Sequence, residues 1–335
     1  MDRRFNSIRA YHTEWLVKLF NPLIIHKVNC IVRDTCASLE LSYQERAQQR
    51  IEEDIRFGAT FITNHRDIVL DSVFLSLLLN NKYDIRPYIA IGNNLLKKKW
   101  VEFFVRMNRA FIVIRDGSVR TKLQHANLLS EYIHFLRFSN KSIWIAQREG
   151  RSKDGNDRTQ PSVLKMLCLY PSYSDNTADL LDKLVKLNLC PVSISYQYDP
   201  CDYLKVSEMQ LKRDNPNWSK SAEDDMLSMK TGIHGDKGRV VFRLTPSINH
   251  WLHQHFAQLS EMPVNDALQK VADQIDHQIH YNYEIFSADP IFEEYIEQQL
   301  SKINIPNKDM VFLREKMLEM YNNPKINYEN SHLPG

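Results

Sequence analysis

Glycine is scarce, 9 residues in 335, and the few present form neither a helix-opening GxGxxG nor a GxxxxGK[ST] phosphate loop, so a nucleotide-binding loop is not expected. The densest cluster, Gly232 to Arg239 (GIHGDKGR), reads instead as a turn before a strand. Cysteine is sparse too. Cys30, Cys36, Cys168, Cys190 and Cys201 are odd in number, scattered and without a CxxC pair, which argues against a disulfide framework or a zinc site and fits a reducing cytosol. Long apolar runs are missing: Trp15 to Ile25 is broken by Lys18 and Pro22 and falls short of the roughly 20 residues a spanning helix needs. That stretch also lacks the basic start and cleavage site of a secretory signal, so it is expected to stay in the fold, in the core or at a membrane interface. Neither sign of charge dominates. With 43 Lys and Arg against 41 Asp and Glu, a nucleic-acid partner is not expected and any cationic site must be local.

What is present is globular: 43% of residues are hydrophobic, and the length suits one large α/β domain with extensions. Between Gly58 and Ile248, short apolar runs of strand character recur: ATFIT (59–63), PYIAI (87–91), AFIVI (110–114), SIWIA (142–146), PVSIS (191–195) and RVVFRL (239–244). Longer helix-like segments flank most of them. The clearest spans Ser118 to Phe138, where Leu123, Ala126, Leu129, Ile133 and Leu136 recur at helical spacing behind a serine cap. Strand alternating with helix predicts an α/β fold, a largely parallel or mixed sheet flanked by helices. Residues 1–56 read as a helical extension, with polar helix formers from Tyr43 to Arg56, residues 57–250 as the α/β core, and residues 251–335 as a helical extension. The last of these holds two or three helices and a frayed tail from Asn322.

The sharpest feature is Thr63-Asn64-His65-Arg66-Asp67-Ile68-Val69-Leu70-Asp71-Ser72, after one expected strand and before the apolar run Val73 to Leu79. A strand end opening into a helix is where α/β sheets place reactive groups. An imidazole there with a nearby carboxylate suits general-base work, because the carboxylate fixes the tautomer and stabilises the imidazolium. The bland alternative is a structural capping pair. Three further segments tip the balance towards chemistry: Arg109 to Arg115-Asp116 closing a strand, Gln147-Arg148-Glu149-Gly150-Arg151-Ser152-Lys153 after the next, and Cys190 to Tyr196 beginning a later one. In a parallel sheet their polar ends converge, and arginine beside glycine suits a phosphate.

These four segments, in this order, resemble the four blocks of the glycerol-3-phosphate and lysophosphatidate acyltransferase superfamily, over roughly residues 57 to 200. The resemblance implies a glycerolipid-acyltransferase-like fold and transfer of a fatty acyl group from acyl-CoA or acyl carrier protein to a glycerol-phosphate type acceptor. His65 would be the base. Arg115, Glu149, Gly150, Arg151 and Ser152 would bind the acceptor's phosphate, and Pro191 would help shape the site. Three departures stand out. The first block reads His-x5-Asp to Asp71 rather than His-x4-Asp, with Asp67 a second candidate; Asp71 is favoured because it would sit on the helix that the loop enters. Arg109 stands where glycerol-3-phosphate acyltransferases tend to have glycine, and Arg151 follows Glu-Gly directly.

No GxSxG elbow occurs, so direct attack without an acyl-enzyme is expected, with oxyanion donors among the amides near Asn64 to Arg66 or near Gly150. Neither metal nor cofactor is expected: His250, His253 and His255 (HWLHQHF) have no accompanying carboxylate or cysteine and read as a polar helix face. Lys97 to Lys99 beside Trp100, Phe103 and Phe104 read as a solvated helix end, with contact to anionic headgroups as the alternative. The expected setting is cytoplasmic, with peripheral contact on the inner membrane face. Rival functions are hydrolysis of a thioester or ester by the same histidine, and non-catalytic lipid binding.

Overall fold

The computed structural model describes residues 14–93, 109–114, 117–172, 174–286 and 290–333. Seven strands form one sheet: β1 (Ser38–Tyr43), β2 (Thr60–Thr63), β3 (Tyr88–Gly92), β4 (Ala110–Val113), β5 (Ile143–Ala146), β6 (Leu189–Tyr196) and β7 (Arg239–Leu244). Their order is β1-β7-β6-β2-β5-β3-β4, and every pair is parallel except β6 with β7. The α/β expectation with a largely parallel, mixed sheet therefore holds, and all six apolar runs are strands.

The central strand β2 is covered on both faces, and all four of its residues are buried. Phe61 points into one core with α1 (Glu14–Thr35), α2 (Gln48–Arg56), α3 (Leu70–Tyr83) and α8 (Ala222–His234). Ile62 points into the other with α4 (Val119–Phe138), α5 (Pro161–Leu167), α6 (Thr177–Leu187), α9 (Asn249–Ser260) and α10 (Val264–Tyr281). A smaller third core joins α7 (Asp202–Asp214), α11 (Pro290–Ser301) and α12 (Met310–Ser331) through Val206, Ile296, Leu300, Leu313 and Met317. The helix expected behind Ser118 is α4; the serine side chain accepts from Thr121 N at 3.2 Å, and Leu129, Ile133 and Leu136 are buried.

From β2 the chain crosses to β3, beyond β5, whereas from β5 it crosses back to β6, beyond β2. The loops leaving β2 and β5 thus diverge, opening a crevice at the carboxyl ends of these two neighbouring strands. That crevice holds the candidate site. None of the described helices is long and apolar enough to cross a membrane.

Two expectations at the chain's ends change. The stretch read as wholly helical before residue 57 contains β1, an edge strand whose Leu39, Leu41 and Tyr43 are only half buried, so the period-2 signal is faint. The tail read as frayed from Asn322 is the second half of α12, which runs through Pro324 to Ser331. Tertiary contacts hold it there. Asn323 Nδ2 donates to Asp154 O at 2.7 Å, and Asn327 joins Asn156 and Arg158 at 3.2 Å each.

Two measurements test this end of the molecule. Asn327→Ala should lower stability by about 1–3 kcal/mol in urea unfolding, since it strips two bonds from a buried site; a frayed tail would show no change. Asp202, fully buried at the start of α7, accepts Tyr321 Oη of α12 at 2.9 Å, and burial, helped by the charge of Asp199, pushes its carboxyl up to about 7. A raised acid contributes stability that is complete below the ordinary value of 3.8 and lost as pH climbs through about 7. Asp202→Asn should therefore flatten the decline in unfolding midpoint from about pH 4 to about pH 8; an unaltered slope would contradict the assignment.

Candidate active site

The loop between β2 and α3 is fixed before any reactive group is considered. Asn64 is fully buried and extends the β2–β6 ladder with its side chain: Nδ2 donates to Ile194 O at 2.9 Å and Oδ1 accepts Ile194 N at 2.8 Å. The carbonyl of His65 accepts the amide of Ser152 at 3.1 Å, and that of Arg66 accepts Lys205 Nζ at 3.2 Å. The loop is thereby tied to β6, to the segment after β5 and to α7.

Asp71, the second residue of α3, is the partner of His65. Its Oδ2 accepts His65 Nδ1 at 2.9 Å, Arg66 N at 2.6 Å and Asp67 N at 3.0 Å. Three donors on one oxygen, near the positive end of a helix, hold the carboxylate in place. With Nδ1–H given to Asp71, Nε2 carries the lone pair. The imidazole is 14% exposed, stands edge-on to Trp144 with centroids 5.9 Å apart, and borders a cavity of about 220 Å³.

Asp67 does the other task that the pattern allowed. Its Oδ1 caps α3, accepting Val69 N at 2.8 Å and Leu70 N at 2.7 Å, while Oδ2 lies against Gly232 of α8, where a side chain would collide. Burial, with the nearby charge of Asp71 adding to it, pushes the Asp67 carboxyl above the usual carboxylate range.

Across the crevice, Gly150 and Arg151 border the same cavity as His65. Gly150 has φ +72°, a left-handed conformation that reverses the chain after β5. Glu149 and Ser152 do not border the cavity. The Glu149 amide donates to Gln160 Oε1 at 2.8 Å, and Ser152 supports the loop through its amide and donates its hydroxyl to Asp154. Pro191 lies inside β6, paired with Ile62, with its carbonyl taken by Thr245. Arg115 and the segment Lys97 to Phe104 lie outside the described residues. Arg109 adopts φ +54°, the backbone region that glycine favours, and its guanidinium sits 5.7 Å from the Tyr88 ring.

The cavity carries more positive groups than the sequence had suggested. Arg148, Arg151, Lys153 and Lys220 border it, against the carboxylates Glu208 and Asp225. Both lysines are matched: Lys153 pairs closely with Glu208, and Lys220 meets Asp225 at 3.1 Å. The arginines have no such close pair, although Asp67 and Asp199 stabilise the charge of Arg151. Among the described residues neither forms a salt bridge, and Arg148 Nε and Arg151 Nη1 are buried without a hydrogen-bond acceptor. Buried donors of that kind are costly unless an acceptor arrives from outside. Arg148 stood in the quoted segment without a mark to separate it from its neighbours, and Trp144 read as one more core residue of its strand. Glu208, Lys220 and Asp225 come from a stretch with no local motif. Among the described residues no group of three His, Cys, Asp or Glu side chains is placed to hold a metal ion.

The two aspartates make separable predictions. The ¹⁵N spectrum of His65 should show the Nδ1–H tautomer in the parent and in Asp67→Ala, but a mixture in Asp71→Asn. Asp67→Ala should also lose about 0.5–2 kcal/mol of stability with its cap. An unchanged tautomer in Asp71→Asn would remove Asp71 as the orienting group. A scan of the chain against models of protein families gives no match, and a comparison with curated protein sequences gives none either.

Proposed function

We propose that this chain is an O-acyltransferase, moving a fatty acyl group from acyl-CoA or acyl carrier protein to a hydroxyl of glycerol 3-phosphate or a lysophosphatidate-type acceptor. The observation that carries it is the His65–Asp71 pair at 2.9 Å in one cavity with Arg148 and Arg151, each of which has one buried nitrogen, Nε and Nη1 respectively, without a hydrogen-bond acceptor. A base and an anion site so close together suit an alcohol that also bears a phosphate.

In the proposed reaction, His65 Nε2 takes the proton of the acceptor hydroxyl as its oxygen attacks the thioester carbonyl carbon. The C–O bond forms, the C–S bond breaks, and the thiolate recovers the proton from the imidazolium. Asp71 holds the ring and offsets its positive charge throughout. Among the backbone donors considered for the oxyanion, the amide of Arg66 is committed to Asp71, while Gly150, which borders the cavity, keeps its amide as a candidate. Covalent routes have little support. The thiols of Cys168 and Cys201 are pushed up to about 12 by burial, and among the described residues bordering the cavity there is no cysteine. Ser72, which does border it, donates its hydroxyl to Val69 O at 3.2 Å. The setting we propose is cytoplasmic, with peripheral contact at a membrane where lipid acceptors are presented.

Purified protein incubated with labelled acyl-CoA and a panel of acceptors should yield acylated glycerol phosphate. His65→Ala should lower the rate on the order of 10² to 10⁴. Arg148→Lys and Arg151→Lys should raise KM for the phosphorylated acceptor far more than KM for the thioester, since lysine cannot reproduce the bidentate fork. Free fatty acid released at the same rate with or without acceptor would make the chain a hydrolase, and a well-folded His65→Ala with parental turnover would end the proposal.

A further inference from the structure

Arg66 turns away from its neighbour His65, to the opposite side of the loop. Its Nη2 meets Asp157 Oδ2 at 3.2 Å, its guanidinium lies 5.9 Å from the Tyr283 ring, and its Nε is buried without an acceptor. It borders a cavity of about 280 Å³ that shares no bordering residue with the His65 cavity. Nothing in the acyl-transfer scheme uses this space.

The walls are largely apolar, built from Ile285 and Phe286 after α10, Phe292 of α11, and Met320, Tyr321 and Pro324 of α12. Two carboxylates also border it, but each is already matched: Asp199 by Lys205 Nζ at 2.5 Å, and Glu284 by Arg243 at 2.7 Å and Arg239 at 3.4 Å. Among the described residues Lys325 has only a solvent-exposed contact with Glu329, 4.0 Å away. The positive groups bordering the cavity are therefore Arg66, paired on one side with Asp157, and Lys325.

A guanidinium and an ammonium bordering a largely apolar chamber suit an anionic head group that arrives on an apolar body. We infer that this cavity binds a single-headed anionic amphiphile, a carboxylate or phosphate monoester on an unbranched tail of medium length. The volume equals the space of about nine water molecules, which suits a ligand the size of octanoate. The head group meets Arg66 and Lys325, and the tail lies along Phe286, Phe292 and Met320. Because the Arg66 amide donates to Asp71, the occupant touches the same loop that holds His65, from its other side. The inference goes beyond the acyl-transfer reading and does not rest on it.

Isothermal titration of the full chain with octanoate, octyl phosphate and octanol tests it, and the tighter of the two anions identifies the head group. At least one anion should bind at a site that Ile285→Trp removes and Arg148→Gln keeps, with octanol on the order of tenfold weaker or worse; a second octyl phosphate site lost in Arg148→Gln would be the His65 cavity. Lys325→Glu, at an exposed position, should weaken the anions severalfold and leave octanol alone. Ile285→Trp, which fills the chamber, should abolish binding there, whereas Arg148→Gln in the His65 cavity should leave it unchanged. The inference is overturned if no probe binds, if octanol binds as tightly as the anions, if Lys325→Glu has no effect, if a folded Ile285→Trp loses no site, or if Arg148→Gln loses every site. Acyl transfer is not the readout, so a failed transfer assay leaves this result standing.

Discussion

One carboxylate oxygen, Asp71 Oδ2, organises the β2–α3 loop. It receives an imidazole N–H and two consecutive backbone amides in a position shut off from water. Without that oxygen three buried or half-buried donors would lose their acceptor at once, at a cost of roughly 1–3 kcal/mol for each one left buried. The same contacts fix which ring nitrogen faces the cavity. Loop structure and ring orientation therefore share a single cause, and the two carboxylates divide the work: Asp67 caps the helix and Asp71 holds the histidine.

The sheet's topology then decides what stands opposite the histidine. Because the crossovers from β2 and β5 run in opposite directions, the two loops part at the carboxyl ends of adjacent strands, and Gly150 and Arg151 come to the same crevice as His65. Within it, the division of charge is informative. Lysines matched by carboxylates shape the wall, while two arginines keep buried donors unfilled. Buried planar donors without acceptors are costly for stability.

Sequence alone reached the core better than the rim. The six runs from ATFIT to RVVFRL were legible because short stretches rich in apolar and β-branched residues stand out between polar segments. β1 was not, since Ser38, Glu40 and Ser42 dilute a half-buried edge strand placed between helices. The second half of α12 was hidden because its order comes from Asn323 and Asn327 bonding a loop some 170 residues away in sequence, and no local periodicity records such a contact. At the site, the five-residue gap between His65 and Asp71 pointed to a pair, because a short loop entering a helix has few ways to arrange them. Lys220 and Asp225 reach the cavity only through tertiary packing, and the role of Gly150 in turning Arg151 inward and Glu149 outward depends on a backbone angle that the letters do not state.

The central claim is that His65, oriented by Asp71, removes a proton from an acceptor in this cavity. The most direct measurement is the pH dependence of kcat/KM for acyl transfer in the parent and, on its residual activity, in His65→Ala. The account predicts an acid limb in the parent, where protonation of the imidazole silences the base, and no such limb in the variant. The same acid limb in both proteins would contradict it.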